Sequence, residues 1–231
     1  DGFAGANGPV IVGLEQDPAA AGHWRSNGAT LTTAQIETLG NGGLYANVHT
    51  PTAPAGFIRG QLLPRGVEMV ITHATGAQES TPVATTATAR AFTTVNVPAK
   101  LLTIHVNTTG LDNATAAHIH TGARGAPGPV TIGFTQDAAN VAHWSAAGVT
   151  LTDEQLQSYR SGNFYVNVHT PANLAGEVRG QTCVPSIGKT QHVFGSRGCK
   201  TIGNPMSPIA FGIFSPMRTQ RLPSWALRSI R

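Results

Sequence analysis

Charge is scarce in this chain: only 11% of its 231 residues are Asp, Glu, Lys or Arg. The formal net charge of +4 suggests a basic protein, but seven of the 15 basic residues lie beyond position 183. These are Lys189, Arg197, Lys200, Arg218, Arg221, Arg228 and Arg231, with no acidic residue among them. The remaining eight face all 11 acidic residues, so residues 1–183 are mildly acidic. That distribution argues against nucleic-acid binding, which needs a basic face on the folded part. Two cysteines, Cys183 and Cys199, are too few for a disulfide framework and wrongly spaced for a zinc ribbon. They make either one local bridge or a free pair. No apolar run reaches the roughly 18 residues of a membrane span. No signal peptide is evident, but the chain opens at Asp1 inside a repeat, so that says nothing about secretion. No serine sits in a G-x-S-x-G setting, no phosphate loop occurs, and Asp153-Glu154 reads as helix N-terminal charge rather than a catalytic pair. The sequence points to no catalytic residue.

What is present is a repeat. A shift of 120 aligns residues 1–61 with 121–181 without a gap, and 29 of the 61 positions are identical. Gln16-Asp17 matches Gln136-Asp137, His23-Trp24 matches His143-Trp144, and YANVHTP at 45–51 matches YVNVHTP at 165–171. The first copy lacks any counterpart of about 67–120. It reads as the back half of a domain, and the chain as a piece of a longer tandem protein; the alternative is a half-domain that borrows strands from a partner. Alone, such a half exposes apolar faces that its missing strands should cover. Three regions follow: a partial copy at 1–64, a complete copy at 67–183, and a basic extension at 184–231. The extension matches neither copy, is interrupted by SerPro, AsnPro and LeuPro steps, and is expected to be disordered.

In the complete copy, short stretches alternate apolar and polar residues with the period of a strand. In 101–107, Leu102, Ile104 and Val106 point one way. In 163–169, Phe164, Val166 and Val168 oppose Asn163, Tyr165, Asn167 and His169. Further strands are predicted at 67–75, 85–97, 115–121, 129–134 and 176–183. Thr152 with Gln155 reads as a capping box opening one short helix that Gly162 stops, and Thr32 with Gln35 repeats the device. Many short antiparallel strands joined by turns predict an all-β fold, a Greek-key sandwich or barrel.

His118 and His120 flank Ile119. On a strand, both imidazoles project from one face about 7 Å apart, with Ile119 turned to the core. Such a pair forms half of a tetragonal copper or tetrahedral zinc site. His169 also lies on the polar side of its strand and supplies a third ligand if the two strands adjoin. His143, read as lying in the loop before the helix, is either a fourth ligand or half of a packing pair with Trp144. Asn167 and Tyr165 share the His169 face and are placed to orient ligands. For His105 and His73, solvated or hydrogen-bonded side chains are the expectation. Sequons at Asn107 and Asn113 matter only in a eukaryotic secretory pathway.

Taken as a set, these residues resemble the CHRD domain family. The resemblance rests on Gly76-Ala77-Gln78-Glu79 with Pro82, Ala116-Ala117-His118-Ile119-His120 with Gly122, and Gly128-Pro129-Val130. It continues through Leu151-Thr152, Gln155-Leu156, Tyr165–Thr170 and Gly176–Gln181. It covers 67–183 fully and 1–64 in part. The resemblance implies an extracellular or envelope-facing binding or structural protein with a protein ligand, since the family's namesake, chordin, binds secreted growth factors. The segments around His118-Ile119-His120 and Val168-His169-Thr170 are also similar to the copper-ligand strands of copper-zinc superoxide dismutase. That similarity implies copper-type ligands at His118, His120 and His169, and a copper-dependent redox enzyme as the alternative function. Two departures weigh against the enzyme. The dismutase's histidine- and aspartate-rich zinc loop has no counterpart, and Arg179 is out of register with its active-site arginine. The partial copy keeps one such residue, His49.

Overall fold

A computed structural model describes residues 1–184, 192–195 and 198–201. Four strands and a helix form the partial copy: β1 (Glu15–Asp17), β2 (Ala20–Arg25), α1 (Thr33–Gly40), β3 (Leu44–Thr50) and β4 (Ala53–Leu62). The complete copy opens with β5 (Val67–Thr75), a single 3-10 turn at Gly76–Gln78, β6 (Thr88–Asn96), β7 (Leu101–Thr109) and β8 (Ala116–Thr121). It continues with β9 (Val130–Gly133), β10 (Thr135–Asp137), β11 (Asn140–Thr150), α2 (Asp153–Arg160), β12 (Phe164–His169) and β13 (Val178–Gln181). In the basic extension, β14 (His192–Gly195) and β15 (Gly198–Thr201) pair as a hairpin. The rest of the extension and the Cys199 side chain, and with them the cysteine-pairing question, lie outside the described residues.

The complete copy is one antiparallel nine-stranded sheet, ordered β10-β11-β7-β6-β5-β13-β12-β8-β9. Its two edge strands, β9 and β10, are consecutive in the chain. Phe134 alone joins them, so the sheet curls until its edges nearly meet. Alternation explains the filling. Leu102, Ile104 and Val106 of β7, Ile119 of β8, Val166 and Val168 of β12 and Val178 of β13 are all at most 1% exposed and share one core. Fully burying each such side chain contributes about 1.5–3 kcal/mol. Both helices start on the capping box: Thr152 Oγ1 accepts from Gln155 N while Gln155 Oε1 accepts from Thr152 N, and Thr32 with Gln35 does the same. Among the described residues no helix is long and apolar enough to cross a membrane.

One expectation needs correction. Residues 140–150 are a strand, not the loop before the helix. A bulge between Ala146 and Val149, with Gly148 at φ +65°, breaks the alternation that would have shown it. The polar face of β12 is covered: Tyr165 and Asn167 are 4% and 2% exposed. The Arg179 guanidinium covers Tyr165, and Glu79, just after the 3-10 turn, covers Asn167.

Candidate metal centre

β8 and β12 are neighbours in the sheet, paired antiparallel from Phe164 opposite Thr121 to His169 opposite Ala116. This register sets Tyr165 against His120 and Asn167 against His118, with His169 diagonal to His118. The same pleat that sends Ile119, Val166 and Val168 inward projects all three histidines from the other side. Their rings gather closely, with centroids 5.1 Å apart for His118 and His169, 5.6 Å for His118 and His120, and 5.8 Å for His120 and His169. One nitrogen from each lies within 4.8 Å of the others. Among the described residues this is the group of three or more potential ligands so arranged.

The hydrogen bonds decide which nitrogens remain available. His120 Nδ1 lies 2.9 Å from Gly128 O, and His169 Nδ1 lies 3.0 Å from Leu174 O. A carbonyl only accepts, so each Nδ1 carries the proton and each Nε2 presents a lone pair. His120 Nε2, His169 Nε2 and His118 Nδ1 are buried and have no protein hydrogen-bond partner. Each such group left unpaired costs about 1–3 kcal/mol. Burial lowers the pKa of all three histidines, and the neighbouring imidazoles lower His118 further. The rings are therefore held neutral, the form that ligates. Three neutral imidazoles, each with one ring nitrogen within 4.8 Å of the others, fit a copper or zinc ion by donor type and number.

A second layer fixes His120. Its ring stacks on Tyr165, with centroids 4.9 Å apart and planes 9° from parallel. The Arg179 guanidinium lies 3.5 Å from the Tyr165 ring centroid on the stack. Arg179 is 2% exposed and donates to Ala126 O, Ala123 O and Gln181 Oε1, tying down the 122–128 loop. Tyr165 Oη accepts from Gly128 N at 3.0 Å, so the residue whose carbonyl holds His120 is itself held. A Cβ at Gly128 would stand 1.8 Å from Thr121 O, which leaves glycine as the residue for this close approach. Asn167 donates to Glu79 Oε1 at 2.6 Å and to Val178 O at 3.0 Å. Burial pushes the Glu79 carboxyl up to about 7, against the opposing pull of Asn167 and Arg179.

The structure thus gathers His118, His120 and His169 and leaves out the two weaker candidates. His143 sits on β11 opposite Asn107, with its Nε2 3.0 Å from His105 Nδ1 and its Nδ1 3.3 Å from Asp137 Oδ2. Its ring stacks on His105 at 5.2 Å, so His105 is a partnered side chain. Trp144, next in sequence, is 5% exposed in the core, as the packing alternative expects. His49 reproduces the His169 pose, with Nδ1 3.0 Å from Pro54 O, but joins no group of three among the described residues. Sequence reasoning missed Arg179, Gly128 and Glu79 as supports. Arg179 and Gly128 carried a signal, being identical in the other copy as Arg59 and Gly8. Glu79 lies outside the repeated part, so the repeat gave no sign of it, and it stood out only as one residue of the Gly76–Glu79 segment.

A family model described as the CHRD domain matches residues 1–62 and 70–182. No curated protein and no solved structure matches the chain.

Proposed function

Because the chain belongs to the CHRD domain family, with one partial and one complete copy in tandem, we propose that it is an extracellular or envelope-facing binding and structural module whose complete copy holds a copper or zinc ion. The observation that carries the metal reading is the gathering of His118, His120 and His169, each with one ring nitrogen within 4.8 Å of the others and each with a buried nitrogen that has no partner, two of them with their tautomer set by Gly128 O and Leu174 O. His118, His120 and His169 hold the ion. Tyr165, Arg179 and the 122–128 loop keep His120 in place, and Leu174 O keeps His169 in place. Bound copper or zinc supplies a Lewis-acidic centre, and copper also a one-electron redox centre. The chain's own contribution is to keep the three imidazoles neutral, oriented and largely shielded from water.

Metal analysis of the full chain after exposure to micromolar copper or zinc tests this. One ion per chain is expected, with His118→Ala and His169→Ala losing it and His49→Ala keeping it. No retained copper or zinc would sink the reading. For the redox-enzyme alternative, the loaded protein must consume superoxide faster than the same concentration of free ion. A rate at that background leaves the binding module alone.

A further inference from the structure

A cavity of about 400 Å³ opens on the complete copy where the 3-10 turn, the 122–128 loop and β13 meet. Val178 turns to the core, so Arg179 and Gln181 point the other way and form one wall. Gln78 and Glu79 form a second, and Arg124 and Gly125 a third. Each wall is held by bonds of its own. Gln78 Nε2 donates to His73 O at 2.8 Å, and Gln181 Nε2 to Gly122 O and Gly162 O at 2.9 and 2.8 Å. Arg179 holds the loop through Ala123 O and Ala126 O. Walls fixed in this way need little reordering to bind, and the volume falls among those of small-molecule sites, roughly 300–1,000 Å³.

The charged groups around the cavity are unevenly satisfied. Arg179 is committed, to two carbonyls, Gln181 Oε1 and the Tyr165 ring. Glu79 and Arg124 are not. Glu79 is only 9% exposed, yet Oε1 alone has a partner, Asn167, and Oε2 has none among the described residues. Burial outweighs the pull of Asn167 and Arg179 and raises this carboxyl to about 7, so it holds a proton where a bound cation would serve. Arg124 is exposed, and its guanidinium makes no hydrogen bond or ion pair among the described residues. A free acid and a free base on two walls of one cavity match a ligand carrying both charges. An amine alone would meet two guanidiniums, and a carboxylate alone would meet Glu79. The partial copy repeats the Arg179 wall with Arg59 and Gln61, but it has Ala4 in place of Arg124 and no counterpart of Glu79. The pair of charges belongs to the complete copy.

We propose that this cavity binds a small amino acid as its zwitterion, with the ammonium against Glu79 and the carboxylate against Arg124. None of His118, His120 and His169 lines it, so the site stands whether or not the histidines bind metal.

The test titrates the full chain with glycine, β-alanine and γ-aminobutyrate, whose two charges lie progressively farther apart, following the backbone amide signals of Glu79, Gly125 and Gln181 by NMR. Saturable shifts with a Kd below about 10 mM are expected for at least one of the three, with the signals of Gly5 and Gln61 unmoved. Glu79→Gln and Arg124→Ala should each weaken that ligand about tenfold or more, since each removes one charge-assisted contact. Acetate and methylammonium, each carrying one of the two charges, should bind at least about tenfold more weakly than the zwitterion. Absence of saturable binding by all three would overturn the proposal, and so would an affinity unchanged in either variant. Acetate or methylammonium binding as tightly as the zwitterion would make this a site for a single charge and overturn it equally.

Discussion

The partial and complete copies share 29 of 61 aligned residues and nearly all of their local hydrogen bonding, yet the same side chains meet different surroundings. Ile58 is 61% exposed and Val178 0%; Trp24 is 47% exposed and Trp144 5%. The capping boxes, the arginine clamp and the pinned histidine need only residues inside the shared segment, and they appear in both copies. Burial needs strands from outside the segment and appears in one. Local geometry and burial are therefore separable here, and substitutions placed at matching positions weigh one against the other.

The largest difference is expected at the clamp. Arg179→Ala leaves two loop carbonyls and Gln181 Oε1 without their donor in a buried site and should cost about 3–4 kcal/mol. Arg59→Ala breaks the same bonds where water can replace them and should cost about 1 kcal/mol or less. Opening free energies from hydrogen exchange, resolved for each copy, measure both, and equal costs would break the comparison. Next comes packing. Val168→Ala should cost about 2 kcal/mol through the cavity it leaves, and Val48→Ala no more than about 0.5 kcal/mol, read by the same exchange.

A smaller effect separates the copies by pH. Glu79, which has no counterpart in the partial copy, has its pKa raised by burial from 4.5 to about 7. The folded chain thus holds this proton more tightly than the unfolded chain does. The resulting stability is complete below about pH 4.5 and is lost as the pH rises through about 7. Glu79→Gln should therefore gain on the wild type across that window by on the order of 1–2 kcal/mol. A stability difference that stays flat between pH 4.5 and 7 would contradict the burial account. The smallest effect is expected at the paired histidines. His143→Ala removes a ring stacked on His105 and should cost about 1 kcal/mol, against about 0.3 kcal/mol for the exposed His23→Ala, by urea midpoints of the two variants.

The strands of clean alternation were legible from the sequence, and so were both capped helices. β11 was not, because its bulge at Ala146–Val149 interrupts the period on which such a reading depends. The three clustered histidines were legible as strand-face residues, but their union depends on β12 lying beside β8, which alternation cannot show. The supports were the least visible. Arg179 and Asn167 look like solvent-facing polar residues until Glu79 and the 122–128 loop, from distant parts of the chain, are found on top of them. A close approach such as that of Gly128 to Thr121 O likewise leaves no periodic trace.

The β8–β12 ladder joins His118 to Asn167 and His120 to Tyr165 across a span containing β9, β10, β11 and α2. Closing so long a loop is a late, entropically costly event in folding. The histidine cluster exists only once that closure has happened. Anything that binds it acts as a latch on the finished barrel, slowing the chain's escape from the native state while leaving the rate of reaching it almost untouched.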